Sequence, residues 1–364
     1  MNAARLEEIL RALSNARVGV LGDFCLDVYW FIDPQASEIS VETGKPTHPV
    51  REQRYSLGGA GNVVANLRAL GVGRVCAFGV LGADPFGERQ RALLRQIGAD
   101  PEGMLTAGVP EWQTLAYTKP YCGDEELPRF DMGNFNRLQD ACADRLLERL
   151  EASLANLDVV IVNQQVRNGI HTPHLRDQLQ ALILRHKRKT FLYDGRHFTD
   201  AYPAAWLKLN AHEACRLCGL RKEQGEPVLR QEALAAGQAL FARAGNPIFV
   251  TRGDRGCLVV SRDGIEEVPG LLVTGPTDPV GAGDSFLAGI AAAIAVRATA
   301  VEAARLGNLV AGVTVSKLRQ TGTASPAEVL RIGREPDYVF EPELADNPRW
   351  ARPSAPASSA PVRP

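Results

Sequence analysis

The stretch TGPTDPVGAGDSFLAGIAAAIAV (residues 274–296) passes from a turn-rich segment through Gly281-Ala282-Gly283 to a lone carboxylate, Asp284, and then into an apolar run of small residues. Glycine costs a helix stability, and an acid beside an apolar run needs a partner. Small residues at a helix N-terminus expose successive backbone N–H groups, which together with the helix dipole form an anion hole. An acid at the same point can take the proton of an attacking hydroxyl while those N–H groups stabilise a transferring phosphoryl group. Plain capping accounts for an Asp here equally well. The junction alone leaves both readings open.

The rest of the 364-residue chain narrows them. A net charge of −1, from 41 basic and 42 acidic residues, gives no field that favours nucleic acid or an acidic membrane. The apolar run Leu287–Val296 is far short of the roughly 20 residues that span a bilayer. The N-terminal MNAARLEEILRALSNARVGVLGD is amphipathic and lacks the parts of a signal peptide. These features predict a soluble cytoplasmic protein with no nucleic-acid or membrane partner. The 7 cysteines are scattered and odd in number, which argues for reduced thiols. Cys215 and Cys218 form C-x-x-C below His212, but no second ligand pair is spaced to complete a zinc site, so buried helix thiols are the favoured reading.

Periodicity predicts an α/β fold. Helix 4–13 leads to strand 18–21, and residues 33–57, with Pro34, Pro46 and Pro49, read as lid or edge material. Gly58–Gly61 opens a helix that Gly71 stops. Strand 74–80, helix 86–97, a strand-rich interruption at 112–132, helix 139–153, strand 158–162, helix 172–187 and strand 190–194 follow. Strand 206–209, helices 211–218 and 229–244, strand 248–251, a hairpin at 257–268 and helices 283–297 and 300–317 complete the pattern. Repeated βα units imply a mostly parallel sheet covered on both faces, a three-layer α/β/α core, with 33–57 and 112–132 pairing into a small β lid. The expected core is 1–330. Residues 331–364 form an extension, Pro/Ala/Ser-rich and disordered from about 346.

Ligands of parallel α/β sheets sit at the carboxyl ends of strands, and the unusual polar clusters follow strands or open helices. The dinucleotide fingerprint fails at both Gly59-Ala60-Gly61 and Gly281-Ala282-Gly283, and no P-loop is present. Six blocks, however, resemble the ribokinase-like (PfkB) carbohydrate kinase family: DPVGAGD (278–284), GGAGNVVANLRALG (58–71), GDFCLD (22–27), NAHE (210–213), TRGDRG (251–256) and GNLVAG (307–312). The resemblance covers about 15–330 and implies an ATP- and Mg²⁺-dependent kinase of the ribokinase-like fold. It makes Asp284 the general base, with Gly281, Ala282, Gly283 and Asp284 forming the anion hole. Asn210 and Glu213 would orient phosphates and hydrated Mg²⁺, although a capping box explains the pair alone. Thr251, Gly253 and Gly256 would meet ATP phosphates, and Asn308 the adenosine. Asp278 and the Val280 carbonyl match a loop that holds a monovalent cation such as K⁺, with Pro279 in place of the commoner Thr. Asp23, Asp27, Gly59 and Asn62 would surround the sugar. Asn66 reads better as an exposed helix residue.

Within the family the chain is most similar to kinases that phosphorylate the anomeric oxygen of heptose 7-phosphate, through ARVGVLGDFCLDVYW (16–30), GGAGNVVANL (58–67), PRFDMGN (128–134) and AGVTVSKL (311–318). Departures fall at NQQVRNG (163–169), where Gln164 replaces an Asp, at DGRH (194–197), and in the lid at 40–50. The nucleotidyltransferase domain that often follows is expected to be absent. A phosphorylated substrate needs cations; Lys45, Arg51, Arg54, Lys119, Arg129, Arg167 and Arg196 are candidates, with Arg129 and Arg196 favoured by their blocks. Other sugars, nucleosides and a non-catalytic sensor stay open as alternatives. The resemblance also implies a homodimer formed through the lids.

Overall fold

The computed structural model describes residues 1–108, 111–223, 226–318 and 322–338; the tail expected to be disordered lies outside them. Helix α1 (Ala3–Ala12) starts where the Asn2 side chain accepts the Arg5 N–H and buries Leu6, Ile9 and Leu10. It feeds β1 (Arg17–Gly22), the central strand. The chain then leaves the core at once in β2 (Phe24–Ile32) and returns along β3 (Val50–Gly59) into α2 (Ala60–Ala69). Alternation of strand and helix follows through β4 (Arg74–Gly82), α3 (Pro85–Gln96) and β5 (Asp100–Ala107). A second excursion carries β6 (Leu115–Cys122), β7 (Glu125–Glu126) and β8 (Phe130–Met132).

The second half is regular. It runs α4 (Asp140–Ser153), β9 (Val159–Gln164), α5 (Pro173–Arg185), β10 (Thr190–Gly195), β11 (Trp206–Asn210), α6 (Ala211–Leu217), α7 (Arg230–Ala244), β12 (Ile248–Thr251), β13 (Cys257–Ser261) and β14 (Gly264–Val268). Helices α8 (Ala282–Ala295), α9 (Ala300–Thr314) and α10 (Pro326–Arg334) end it. The core sheet has the order β14-β13-β12-β11-β10-β9-β1-β4-β5, parallel from β12 to β5 with two antiparallel strands beyond β12. Side chains of period 2 split along it. Val18, Val20, Val159 and Ile161 pack under α1, α2, α8 and α9, whereas Val160 and Val162 pack under α4, α5 and α7. This is the expected three-layer α/β/α arrangement.

The lid is a separate five-stranded sheet, β3-β2-β6-β7 with β8 also on β6. Its one face, Leu26, Val28 and Ala116, packs toward Phe86 and Leu93 of α3. Three expectations need correction. The lid begins at Phe24, because the Gly22-Asp23 junction turns the chain out of β1 straight into the aromatic strand β2, and residues 33–49 contribute a loop closed by one isolated Ile39–Pro46 bridge. Strand β5 was not foreseen; it carries Pro101 and a register shift, features tolerated at a sheet edge. The packed structure also runs past 330: α10 buries Val329 and Gly333, Leu272 N donates to Asp337 O, and Leu271 bridges Tyr338.

Candidate active site

The parallel strands all point their carboxyl ends at one edge, and the N-terminus of α8 crosses it. Gly281 caps that helix at φ 78°, a left-handed conformation that favours glycine. The Ala282 N–H is spent on Pro279 O at 3.1 Å. Ala282 therefore does not offer the N–H expected of it. Asp284 is half-buried, and its Oδ2 accepts the Asn62 amide at 2.9 Å. Burial pushes its pKa up to about 6. The Asn62 bond opposes that shift, Asp194 adds to it, Lys208 opposes it and Asp27 adds to it.

Beneath α8 a row of polar side chains crosses the sheet face. Asn163, Asp194 and Lys208 are register neighbours on β9, β10 and β11. Lys208 Nζ pairs with Asp194 Oδ2 at 3.0 Å, with side chains only 7% and 9% exposed. Burial opposes the lysine's charge, but Asp194 and then Glu213 outweigh it and hold the ammonium above its ordinary value. Nζ lies 3.2 Å from where a Cβ on Gly283 would sit, so the ammonium abuts the first turn of α8. Sequence reasoning missed this pair. Its trace was a charge inside a buried strand, WLKLN, two residues before Asn210.

A largely apolar cavity adjoins α8. Thr251, Gly253, Gly256, Pro279, Ala282, Gly283 and Asn308 line it together with Leu271, Val273 and Phe286. Six of the expected nucleotide and anion-hole residues therefore converge. The Asn308 amide is anchored on Pro269 O at 2.7 Å. Asn210 and Glu213 form the capping box of α6, each side chain accepting the other's backbone N–H at 2.8 Å. Burial and then Asp194 push Glu213 above the ordinary carboxylate range. Asp278 and Val280 sit across from the lid residues Tyr29, Lys119 and Tyr121. Asp278 Oδ1 accepts the Val280 N–H at 3.0 Å.

On the sugar side the structure redistributes the expected residues. Asp27 on β2 is half-buried and ion-paired with Lys119 at 3.0 Å. Asp23 is wholly buried, with its carboxylate accepting the backbone N–H groups of Gln165, Val166 and Ile170 at 2.8–2.9 Å, so it anchors a loop and presents no exposed oxygen to a sugar. Gly59, at φ 55°, backs onto Asp23 O, and Gly58 is the glycine against the Asp27 carboxylate. Asn62 is 2% exposed and meets Asp284. Asn66 is fully buried, contrary to its reading as a surface residue. Gln164 is buried too; its Oε1 accepts the N–H groups of His197 and Phe198, so it joins two loops without reaching the sugar side.

Of the seven candidate cations, Arg129, Arg167 and Arg196 line one cleft with Tyr117, Asn134 and His197. Arg129 stacks over Tyr117 at 4.6 Å and pairs with Asp131. Arg51 and Arg54 are engaged by Asp33 and Glu52 out on the lid, and Lys119 by Asp27. Cys215 is buried and the Cys218 thiol faces Ala236 O, while His212 bonds Glu226 O; among the described residues no cluster of metal-ligating side chains forms. No helix among them is long and apolar enough to cross a membrane.

Comparison with known proteins gives the same direction. The model of the pfkB family of carbohydrate kinases matches residues 26–328. The bifunctional protein HldE of Rhodospirillum rubrum is 31% identical over 325 residues, 88% of this chain and 62% of that protein. That of a Caulobacter species is 33% identical over 321 residues, covering 86% and 62%. The chain spans just under two thirds of the length of these relatives. Ribokinase of Arabidopsis thaliana, solved with ribose and ATP, superposes with a TM-score of 0.68 at 17% identity, over 88% of this chain and 99% of that one. Phosphofructokinase-2 of Escherichia coli, solved with potassium, gives 0.67 at 18%, over 87% and 98%. At such identities these two show the fold.

Proposed function

The chain belongs to the pfkB family of carbohydrate kinases, and from that premise we propose that it moves the γ-phosphoryl group of ATP to a hydroxyl of a phosphorylated sugar, with heptose 7-phosphate the best candidate. Family membership makes it a phosphotransferase whose acceptor is a sugar hydroxyl. The observation that carries the finer reading is the position of Asp284. It stands between the cavity lined by Thr251, Gly256 and Asn308 and the lid acid Asp27, beside the N-terminus of α8 and the Lys208 ammonium.

In this reading Asp27 and the glycine edge of β3 hold sugar hydroxyls, and Asp284 accepts the proton of the attacking one. A carboxylate suffices, because the transition state is loose and the proton leaves late. The Gly283 and Asp284 N–H groups and Lys208 stabilise charge on the transferring group. Thr251, Gly253, Gly256 and Asn308 hold ATP. Asp194, Glu213 and Asp284 set three carboxylates near one ammonium, an imbalance that a divalent cation would relieve. Glu213 fits hydrated Mg²⁺, which keeps its waters and needs no cage of direct ligands. When bound, Mg²⁺ neutralises phosphate charge. Asp278 and the Val280 carbonyl offer the oxygen donors that K⁺ would take.

The cleft of Arg129, Arg167 and Arg196 supports an anionic substrate end, since guanidinium forks suit phosphate. The blocks at 16–30, 58–67, 128–134 and 311–318, which resemble those of heptose 7-phosphate kinases, support a heptose. The test is an ADP-release assay over heptose 7-phosphate, hexose phosphates, free sugars and nucleosides. Turnover on the phosphorylated sugars, abolished in Asp284→Asn, is expected. Wild-type turnover in that variant would remove the base, and binding of ATP and sugar with no transfer would make the protein a sensor. We also propose that two lids pair, covering apolar side chains such as Ile39 (63% exposed) and Val41 (96%). Light scattering that finds only monomer at micromolar protein counts against it.

A further inference from the structure

Two asparagines lie in α2, where that helix packs against α8. Both are buried: Asn62 is 2% exposed and Asn66 is 0%. The Asn66 amide donates to Asn62 Oδ1 at 3.1 Å and to Asn62 O at 3.0 Å. Asn62 then donates its own amide to Asp284 Oδ2 at 2.9 Å. The chain has one direction. An amide side chain has a donor end and an acceptor end, and because Asn66 fills the acceptor end of Asn62, the donor end must face Asp284. Without Asn66 the Asn62 amide loses one of the two contacts that fix its flip, so its oxygen is free to turn and accept the O–H of a protonated Asp284, which favours the neutral acid.

Asn66 carries a cost that packing does not explain. Its Oδ1 makes no hydrogen bond among the described residues. A buried acceptor without a partner is expensive, and asparagine is a poor helix former. Leucine would fill this seam with neither penalty. What leucine cannot do is donate to Asn62.

We propose that Asn66 is a positioning residue that acts through Asn62 to keep Asp284 ionised and aimed. The inference rests on Asp284 being the base. Every charged group facing that carboxylate enters the balance. Asp27 on β2, itself paired with Lys119 of β6, and Asp194 on β10 disfavour ionisation, while Lys208 on β11 and the Asn62 amide favour it. The Asn62 bond is the one of these that a neutral, buried substitution can remove without changing the net charge.

The experiment is the pH dependence of kcat/KM for wild type, Asn66→Leu and Asn62→Leu, with Asp284→Asn as reference. The substrates' own ionisations are common to all and cancel in the comparison. Folded fraction is followed by circular dichroism at each pH and kcat/KM is expressed per folded enzyme, so a loss of stability that grows as pH falls does not pass for a moved limb. Wild type is expected to fall off near pH 6, and both asparagine variants about one pH unit higher, the size of a hydrogen bond to a charged group. Asn66→Ala carries the same expectation should leucine not pack. An acid limb unmoved in the Asn66 variants, with the limb of Asn62→Leu shifted, overturns the relay and leaves Asp284 as base. Turnover at the wild-type rate in Asp284→Asn overturns both.

Discussion

Replacing Lys208 by methionine keeps the length and apolar stem of the side chain and removes its charge. Two separable costs follow. Lys208 and Asp194 are 7% and 9% exposed and 3.0 Å apart, so the variant strands a buried carboxylate; breaking such a pair costs about 3–5 kcal/mol of stability. The second cost is kinetic. With Nζ against Gly283, a phosphoryl oxygen in the anion hole would lie ~5 Å from the ammonium, and at an effective dielectric of ~20 that charge contributes about 3 kcal/mol. Losing it lowers kcat on the order of a hundredfold. The double variant Lys208→Met/Asp194→Asn separates the two, because it removes the stranded charge without restoring the ammonium. Urea denaturation should show most of the lost stability returning in the double variant, while ADP release at saturating substrates stays low. If the rate returns with the stability, or if Lys208→Met loses less than about threefold in kcat, Lys208 is a structural cation and the electrostatic argument fails.

Two further outcomes test the frame around the site. His171 is 2% exposed, bonded to Tyr202 and the Asn163 carbonyl, and burial holds its pKa below the ordinary histidine value; the unfolded chain therefore binds its proton first as pH falls through about 6.5, and stability drops below that point. Melting temperatures at pH 7.5 and 5.5 should diverge more in wild type than in His171→Gln, and equal divergence removes His171 as the cause. Gly169→Ala would put a Cβ 2.0 Å from Asp23 Oδ1, forcing apart a loop that three N–H groups fasten to that carboxylate; a loss of about 2–4 kcal/mol in urea denaturation is expected, and a loss below about 0.5 kcal/mol would show that the loop yields freely.

The sequence made the α/β core legible because its strands are short apolar runs and its helices carry clear faces and caps. The α8 junction was legible because glycines and an acid are costly where they stand. What escaped was of two kinds. Strand β2 follows β1 after the single residue Asp23, too close for the second strand to stand apart in the pattern, and β5 carries proline at an edge. For the polar residues of the candidate site, sequence order does not specify which partner each one meets. Asp23 and Asp27 are four residues apart after one strand, yet the first turns into the core and staples a loop while the second stays with the lid. Only the position of each strand end decides between them. Asn66 looked like a surface residue because helical periodicity marks a polar side chain as outward, and α8 had not yet been placed over that face.

The contact between Asn62 and Asp284, the proposed base, joins residues 222 positions apart. Strand β1, first in the chain, ends up between β4 and β9, and α2 reaches the sheet beside it. Helix α8 can meet α2 only after the parallel strands between them in sequence have assembled, so the Asn62–Asp284 bond belongs to the longest-range contacts of the fold, which form at the highest loop-closure cost. The local sequence around Asp284 supplies an anion hole from its own backbone. It does not supply the donor that offsets the burial of the carboxylate; that comes from the other end of the chain. A base fixed in this way is ionised only as well as the seam between two helices is packed. On the proposed reading of Asp284, the acid limit of the reaction is a property of the α2–α8 contact, and changes to that seam out of reach of either substrate should move it.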